Sequence, residues 1–155
     1  PAPPVAELVK VETLVADAVF LLQPDMQRVG VTCHLDIAEG VRVYADPEQV
    51  KRMLFNLMKN AVQAMSGGGA LTVRARLERH EVCIDVADSG HGISEAARAQ
   101  LFEPFFTTRE KGSGLGLAVV SQTVADNGGH LELASEKGQG AVFKVVLPAG
   151  AGRYS

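Results

Sequence analysis

The sequence predicts an α+β fold: a two-layer sandwich of a mixed, mostly antiparallel sheet with its helices on one face. Three observations lead there. Apolar residues recur at helical spacing in three long segments and alternate with polar ones in six short segments. The elements run helix, strands, helix, hairpin, helix, hairpin, and not in the βαβ alternation of a parallel sheet. Finally, 155 residues of which 46% are hydrophobic can bury one core without disulfides or a structural metal.

Residues 1–4 hold three prolines and read as a linker. From 5 to 29 the apolar residues Leu8, Val11, Leu14, Val15, Ala18, Val19 and Leu22 mark one helical face, and Gly30 is the stop. Segments 31–37 and 42–45 read as strands. Asp46-Pro47-Glu48-Gln49 is a helix start, with Asp46 as cap, Pro47 at the first helical position and Gln49 as capping-box partner. That helix is expected to run to about Met65 and stop at Ser66-Gly67-Gly68-Gly69. Strands at 70–78 and 81–87 join tightly at Arg79-His80, and a short helix at 94–100 opens a glycine-rich irregular stretch ending at Ser113. A third long helix spans 115–126 and ends at Asn127-Gly128-Gly129. Strands at 130–135 and 141–147 turn at Gly138-Gln139-Gly140, and 149–155 reads as a disordered tail. One domain, 5–148, is left.

A net charge of -3 without basic clusters argues against nucleic acid as the main partner. No stretch resembles a signal peptide, and no apolar run reaches the roughly 20 residues of a membrane span, so a cytoplasmic, monomeric domain is expected. Cys33 and Cys83 lie far apart in alternating apolar stretches; they are expected to be buried reduced thiols, not a disulfide or a metal site.

Chemistry concentrates in three places. On the 46–65 helix, Val50, Met53, Leu54, Leu57, Ala61 and Ala64 form the core stripe, while Asn56, Asn60 and Gln63 line up about a quarter turn away. Asparagine is a poor helix former, so two at i, i+4 ask for a reason. An amide carbonyl suits Mg²⁺, which takes oxygen ligands and shares the rest with phosphates; a polar exposed flank is the plainer alternative. Asp88-Ser89-Gly90-His91-Gly92 follows a strand, but Glu95 stands where a dinucleotide-binding turn needs its third glycine. It is either an ordinary turn or a place where Asp88 accepts from an adenine amino group while glycine backbone approaches the base. Gly112-Ser113-Gly114-Leu115-Gly116-Leu117 precedes a helix, whose free N–H groups suit phosphate oxygens, and lacks the Lys-Ser/Thr of a Walker A loop. Phe102, Phe105 and Phe106 read as a hydrophobic anchor from which 107–113 hinges as a lid, and the glycines predict a lid without fixed structure.

Together these residues resemble a known family. Asn56-Leu57-Met58-Lys59-Asn60-Ala61 is similar to the N box of sensor histidine kinases, and Asp88-Ser89-Gly90-His91-Gly92-Ile93 to their first glycine box. Phe102-Glu103-Pro104-Phe105-Phe106 resembles the F box, and 112–117 the second glycine box. The style is nearest the nitrogen-regulator and oxygen-sensor kinases. The resemblance implies the Bergerat ATPase fold and ATP with Mg²⁺ as ligands. Asn60 would hold the metal, and Asn56 would lie beside it near the phosphates. Asp88, Gly90, Gly92 and Ile93 would surround the base. Thr108, Arg109, Lys111, Gly112, Ser113, Gly114, Leu115 and Gly116 would contact the nucleotide from the lid. Gln63 stands where many relatives have Lys, so a phosphate charge contact shifts to Arg109 and Lys111, or to Lys59. Ala141 stands where the last glycine box often continues with Thr.

The resemblance also implies protein-histidine kinase activity in two-component signal transduction. The γ-phosphate would go to a histidine on a separate dimeric phosphoacceptor hairpin of the same parent, with a response regulator downstream. None of His34, His80, His91 and His130 has the acidic neighbour on a helix that an acceptor needs, so the chain reads as the ATP-binding catalytic domain alone. Two alternatives remain. An ATP-driven clamp of the gyrase, MutL or chaperone type usually has Glu at the position of Asn56; a degenerate binding module would not need the full set of glycines and asparagines.

Overall fold

In the computed structural model, residues 3–90, 114–135 and 140–150 are described. Their elements are β1 (Glu7–Lys10), α1 (Val11–Val29), β2 (Val31–Ile37), β3 (Arg42–Ala45), α2 (Pro47–Gln63), β4 (Gly69–Glu78), β5 (Glu81–Asp88), α3 (Gly114–Asp126), β6 (His130–Ser135) and β7 (Ala141–Pro148). The five-stranded sheet has the order β2-β4-β5-β7-β6. Only β2 and β4 run parallel; the other neighbours are antiparallel. This is the expected α+β sandwich.

The core is one cluster between the sheet and the three helices. Leu71, Val73 and Ala75 of β4, Val82, Ile84 and Val86 of β5, and Phe143, Val145 and Leu147 of β7 project into it by strand alternation. Helix α2 packs against both α1 and α3. Its buried set therefore includes Met58 and Val62 beside the expected stripe. The opposite face of the sheet is polar. Across its middle the register places Asp36, Arg74, Asp85, Lys144 and Glu132 side by side on five successive strands. Charges that alternate in sign at cross-strand positions reinforce the pairing and suit water above them.

The N-terminal segment departs from expectation. Residues 7–10 form β1, paired antiparallel with β3, and the helix starts only at Val11. The apolar pattern is compatible with either state at Leu8, and the pairing of Leu8 with Tyr44 and Val9 with Val43 decides it. Pro24 does not end α1; it removes one rung on the exposed side of an otherwise packed helix. Gly30 closes the helix in the left-handed conformation, φ 82°, and its N–H donates to the Met26 carbonyl. At the other end, Ala149 is only 1% exposed and its N–H donates to the His80 carbonyl, so the packed fold runs through Gly150. Cys83 is buried and Cys33, on the edge strand β2, is half-buried; both are free thiols whose pKa burial pushes up. The expected helix at 94–100, the F box and most of the expected lid lie outside the described residues.

Candidate functional site

The site is built around α2. Asp46 caps the helix, its Oδ1 accepting from the N–H groups of Glu48 and Gln49 at 3.0 and 3.2 Å. Its Oδ2 accepts from Val5 N–H at 2.9 Å. The contact from Val5, with the two cap bonds and the nearby Arg52 charge, outweighs burial and holds the Asp46 carboxyl below its usual pKa. The Asp46 N–H, which a capping box gives to Gln49, goes instead to Asn127 Oδ1 at 2.9 Å. Asn127 Nδ2 donates to Gln49 Oε1 at 3.0 Å and to the Thr123 carbonyl at 2.9 Å. One buried amide thus ties the start of α2 to the end of α3. With its N-terminal end beside the C-terminal end of α3, α2 runs along that helix in the opposite direction.

Between the two helices lies a cleft of about 290 Å³. Arg52, Met53 and Asn56 line it from α2, and Val119, Gln122 and Asp126 from α3. Asn56 is half-buried, and its side chain makes no hydrogen bond among the described residues. Asn60, one turn on, is also half-buried, while Gln63 is exposed. Of this row only Asn56 lines the cleft; Asn60 is half-buried beyond its end. Amide oxygens in such a row fit a hard cation, and no His/Cys/Asp/Glu cluster competes with them among the described residues.

The C-terminal end of α2 meets the end of β5. Asp88 Oδ1 accepts from Gly90 N–H at 2.8 Å, folding the chain back on itself after the strand. Gly90 lies so close to α2 that an added Cβ would come within 2.6 Å of the Ala64 carbonyl oxygen. Ser89 Oγ accepts from Ala70 N–H at 2.9 Å and lies 3.5 Å from Met65 Sδ. From the other side, Gly140 passes the Asp88 backbone: its φ is 84°, and a Cβ there would fall 2.1 Å from the Asp88 carbonyl oxygen. The half-buried Asp88 is therefore fixed between two glycine approaches.

Gly114, Leu115 and Gly116 are the first residues of α3, which starts one residue before the expected 115. Their N–H groups belong to the helix's first turn, which has no intrahelical acceptors. Gly92, Ile93, Thr108, Arg109, Lys111, Gly112 and Ser113 lie outside the described residues. Lys59 is exposed, its Nζ 6.0 Å from the centroid of the Phe55 ring, and it does not line the cleft. Three features escaped the sequence reading. Arg52 extends the i, i+4 row of Asn56 and Asn60 by one turn and could have been seen. The role of Asn127 and the approach of Gly140 to Asp88 depend on packing between distant segments.

Comparison with known proteins agrees with this geometry. Residues 45–151 match the family described as histidine kinase-, DNA gyrase B-, and HSP90-like ATPase. Sporulation kinase E of Bacillus subtilis is 34% identical over 140 residues, which are 89% of this chain and 19% of that protein. The sensor histidine kinase ZraS of Escherichia coli is 34% identical over 143 residues, 92% of this chain and 31% of ZraS. The chain thus spans between a fifth and a third of these relatives. The nucleotide-free catalytic domain of histidine kinase ThkA superposes with a TM-score of 0.84 at 26% identity, covering 94% of this chain and 96% of that one. Full-length ShkA in complex with AMPPNP gives 0.83 at 32% identity, covering 92% and 31%. ThkA in complex with the response regulator TrrA gives 0.81 at 25% identity, covering 93% and 42%. With a family match over more than half its length, on the fold and around the residues just described, the chain belongs to the histidine kinase-, DNA gyrase B-, and HSP90-like ATPase family.

Proposed function

We propose that this domain binds Mg-ATP and presents the γ-phosphate for transfer to a histidine on a separate phosphoacceptor domain of its parent protein. The observation that carries the reading is Asn56, a half-buried amide in mid-helix that lines the α2–α3 cleft with no hydrogen bond among the described residues. An amide on a cleft wall with no partner in the fold is open to a ligand that offers oxygen or a cation. Asp88 at the far end of α2 suits an adenine amino group, being a carboxylate already oriented by the Gly90 N–H. Asn60 would offer an oxygen ligand to Mg²⁺, which neutralises phosphate charge when bound, and Asn56 would lie beside it near the phosphates. The first turn of α3 adds N–H groups that have no intrahelical acceptor and suit phosphate oxygens.

In this reading the residues of this chain orient and neutralise, and the acceptor is on another domain. Among the described histidines, His130 is exposed with its Nε2 2.8 Å from Glu132 Oε2, and His34 sits exposed on an edge strand. His80 is exposed in the turn between β4 and β5, and none of these three lies on a helix. Phosphoryl transfer is mostly positioning and charge stabilisation, so a domain of this kind needs only to hold the γ-phosphoryl group in line. Acceptor hairpin and response regulator are the partners this reading requires. The sensor-kinase names of the relatives and the AMPPNP and response-regulator complexes of two neighbours support it over an ATP-driven clamp. The reading implies a cytoplasmic domain, since that is where ATP is available; separately, no helix among the described residues is long and apolar enough to cross a membrane.

Titration calorimetry with ATP and Mg²⁺ tests the reading. Wild type is expected to bind, while Asn60→Ala and Asp88→Asn lose affinity by about tenfold or more. Absence of binding heat in wild type at millimolar nucleotide sinks it.

A further inference from the structure

The cleft lined by Asn56 continues one turn further, to Arg52. From the Ala64 end, where Gly90 and Asp88 abut the helix, Asn60, Asn56 and Arg52 follow about 6, 12 and 18 Å along the axis of α2. A nucleotide with its base at Asp88 and its phosphates on the asparagine row extends along this line. Each added phosphate lies further from the base, so the terminal one comes nearest Arg52. We infer that Arg52 is a cationic contact for the terminal phosphate, and the group on α2 by which the site distinguishes a triphosphate from a diphosphate. The inference rests on the nucleotide reading above.

Three observations single out this residue. Helix α2 carries the cations Lys51, Arg52 and Lys59, and of these only Arg52 lines the cleft with Asn56. Lys51 is engaged elsewhere, with Glu48 at 3.3 Å and Asp17 at 4.0 Å, and Lys59 lies over Phe55. Arg52 is exposed and forms no ion pair or hydrogen bond among the described residues. Two carboxylates share its surroundings. Asp46 feels its charge, but its oxygens are taken by the N–H groups of Val5, Glu48 and Gln49. Asp126, on the far wall, accepts from Gln122 Nε2 at 2.7 Å. An arginine fork left open at the outer end of a phosphate row matches the planar, bidentate recognition that guanidinium gives phosphate oxygens. The long side chain can fold back along the cleft toward Asn56, so the distance along the axis is within its reach.

The test compares two nucleotides on the full chain. Calorimetry in Mg²⁺ with ADP and with AMPPNP, a non-hydrolysable triphosphate, gives the ratio of affinities for wild type, Arg52→Gln and Arg52→Lys. Arg52→Gln is expected to weaken AMPPNP by about tenfold, the loss of one charge-assisted contact, and to leave ADP unmoved. Arg52→Lys should fall between, since it keeps the charge but not the fork. Thermal melts of the variants should stay close to wild type, because Arg52 is exposed and forms no ion pair or hydrogen bond among the described residues. An unchanged AMPPNP/ADP ratio in Arg52→Gln, or an equal loss for both ligands, overturns the role of Arg52 while leaving nucleotide binding in place. If wild type binds neither ligand, the nucleotide reading itself fails.

Discussion

Asn127 reaches across 81 residues of sequence to accept the Asp46 N–H at 2.9 Å, and so takes the place that a local capping box would give to Gln49. The amide is 7% exposed and also donates to Gln49 and to the Thr123 carbonyl. It fixes the angle between α2 and α3, and with it the width of the cleft that holds Asn56 and Arg52.

Replacing Asn127 with Ala is expected to cost about 2–3 kcal/mol, from lost hydrogen bonds and a part-buried N–H left without an acceptor. Asn127→Asp should not rescue it, because Gln49 Oε1 and the Thr123 carbonyl would then face a carboxylate oxygen. Urea unfolding followed by circular dichroism checks both; a loss below about 0.5 kcal/mol in Asn127→Ala contradicts the bridging role.

Asp46 links stability to pH. Its native pKa is held below the usual carboxylate value, chiefly by the Val5 N–H. A group depressed in the native state stabilises the fold above its unfolded pKa, and that contribution is lost as pH falls through the native value. Asp46→Asn should keep an acceptor for the cap but lose this acid-side dependence. The comparison is of melting temperatures from pH 6 down to about pH 2, spanning the ordinary carboxylate range. Parallel curves for the two proteins would remove Asp46 from the account.

Gly140 and Gly90 are expected to be intolerant of Ala for different reasons. At Gly140 an Ala meets both a left-handed backbone, φ 84°, and the Asp88 carbonyl oxygen 2.1 Å away, so a loss of more than about 2 kcal/mol follows. At Gly90 the conflict is with the Ala64 carbonyl oxygen at 2.6 Å, and the chain after β5 must shift off α2. Gly90→Ala should therefore impair nucleotide binding more than stability. Paired melts and titrations separate the two; Gly140→Ala with wild-type stability is the contrary result.

On the outer sheet face, Lys144 stands between Asp85 on β5 and Glu132 on β6. Asp85 also has one buried oxygen with no hydrogen-bond partner, and its other accepts from Arg76 Nη1 at 3.1 Å. Lys144→Glu would set three acidic residues abreast and should destabilise by about 1–2 kcal/mol, decreasing as salt is added. Lys144→Gln should cost less. If the two variants melt alike at low salt, the alternating row contributes nothing.

Much of this fold and its site was legible in the residues. Strand alternation, the Asp46-Pro47 start of α2 and the glycines at 30 and 128–129 reflect local rules of backbone conformation, and the elements follow them. The asparagine row was legible for the same reason: a period of 3.6 residues fixes which side chains share a helix face, whatever packs against it. Hence Asn56 and Asn60 share a half-buried side of α2, and Arg52, which lines the cleft with Asn56, could have been added by the same count. Local rules fail where two states compete or where neighbours come from far along the chain. Leu8 fits a helical stripe as well as a strand, and only β3 decides for the strand. Met58 and Val62 lie off the expected stripe and are buried because α2 has a helix on either side.

By itself, then, the sequence determined the kinds and order of the described elements other than β1, and which side chains α2 presents together on one face, because these depend on periodicity and backbone preference within a few residues. Tertiary structure alone decided that Asn127 sets the α2–α3 cleft, that Gly140 presses on Asp88, and that opposite charges alternate across five strands. Those arrangements are contacts between segments whose separation in sequence carries no signal, and they exist only once the shared core brings the segments together.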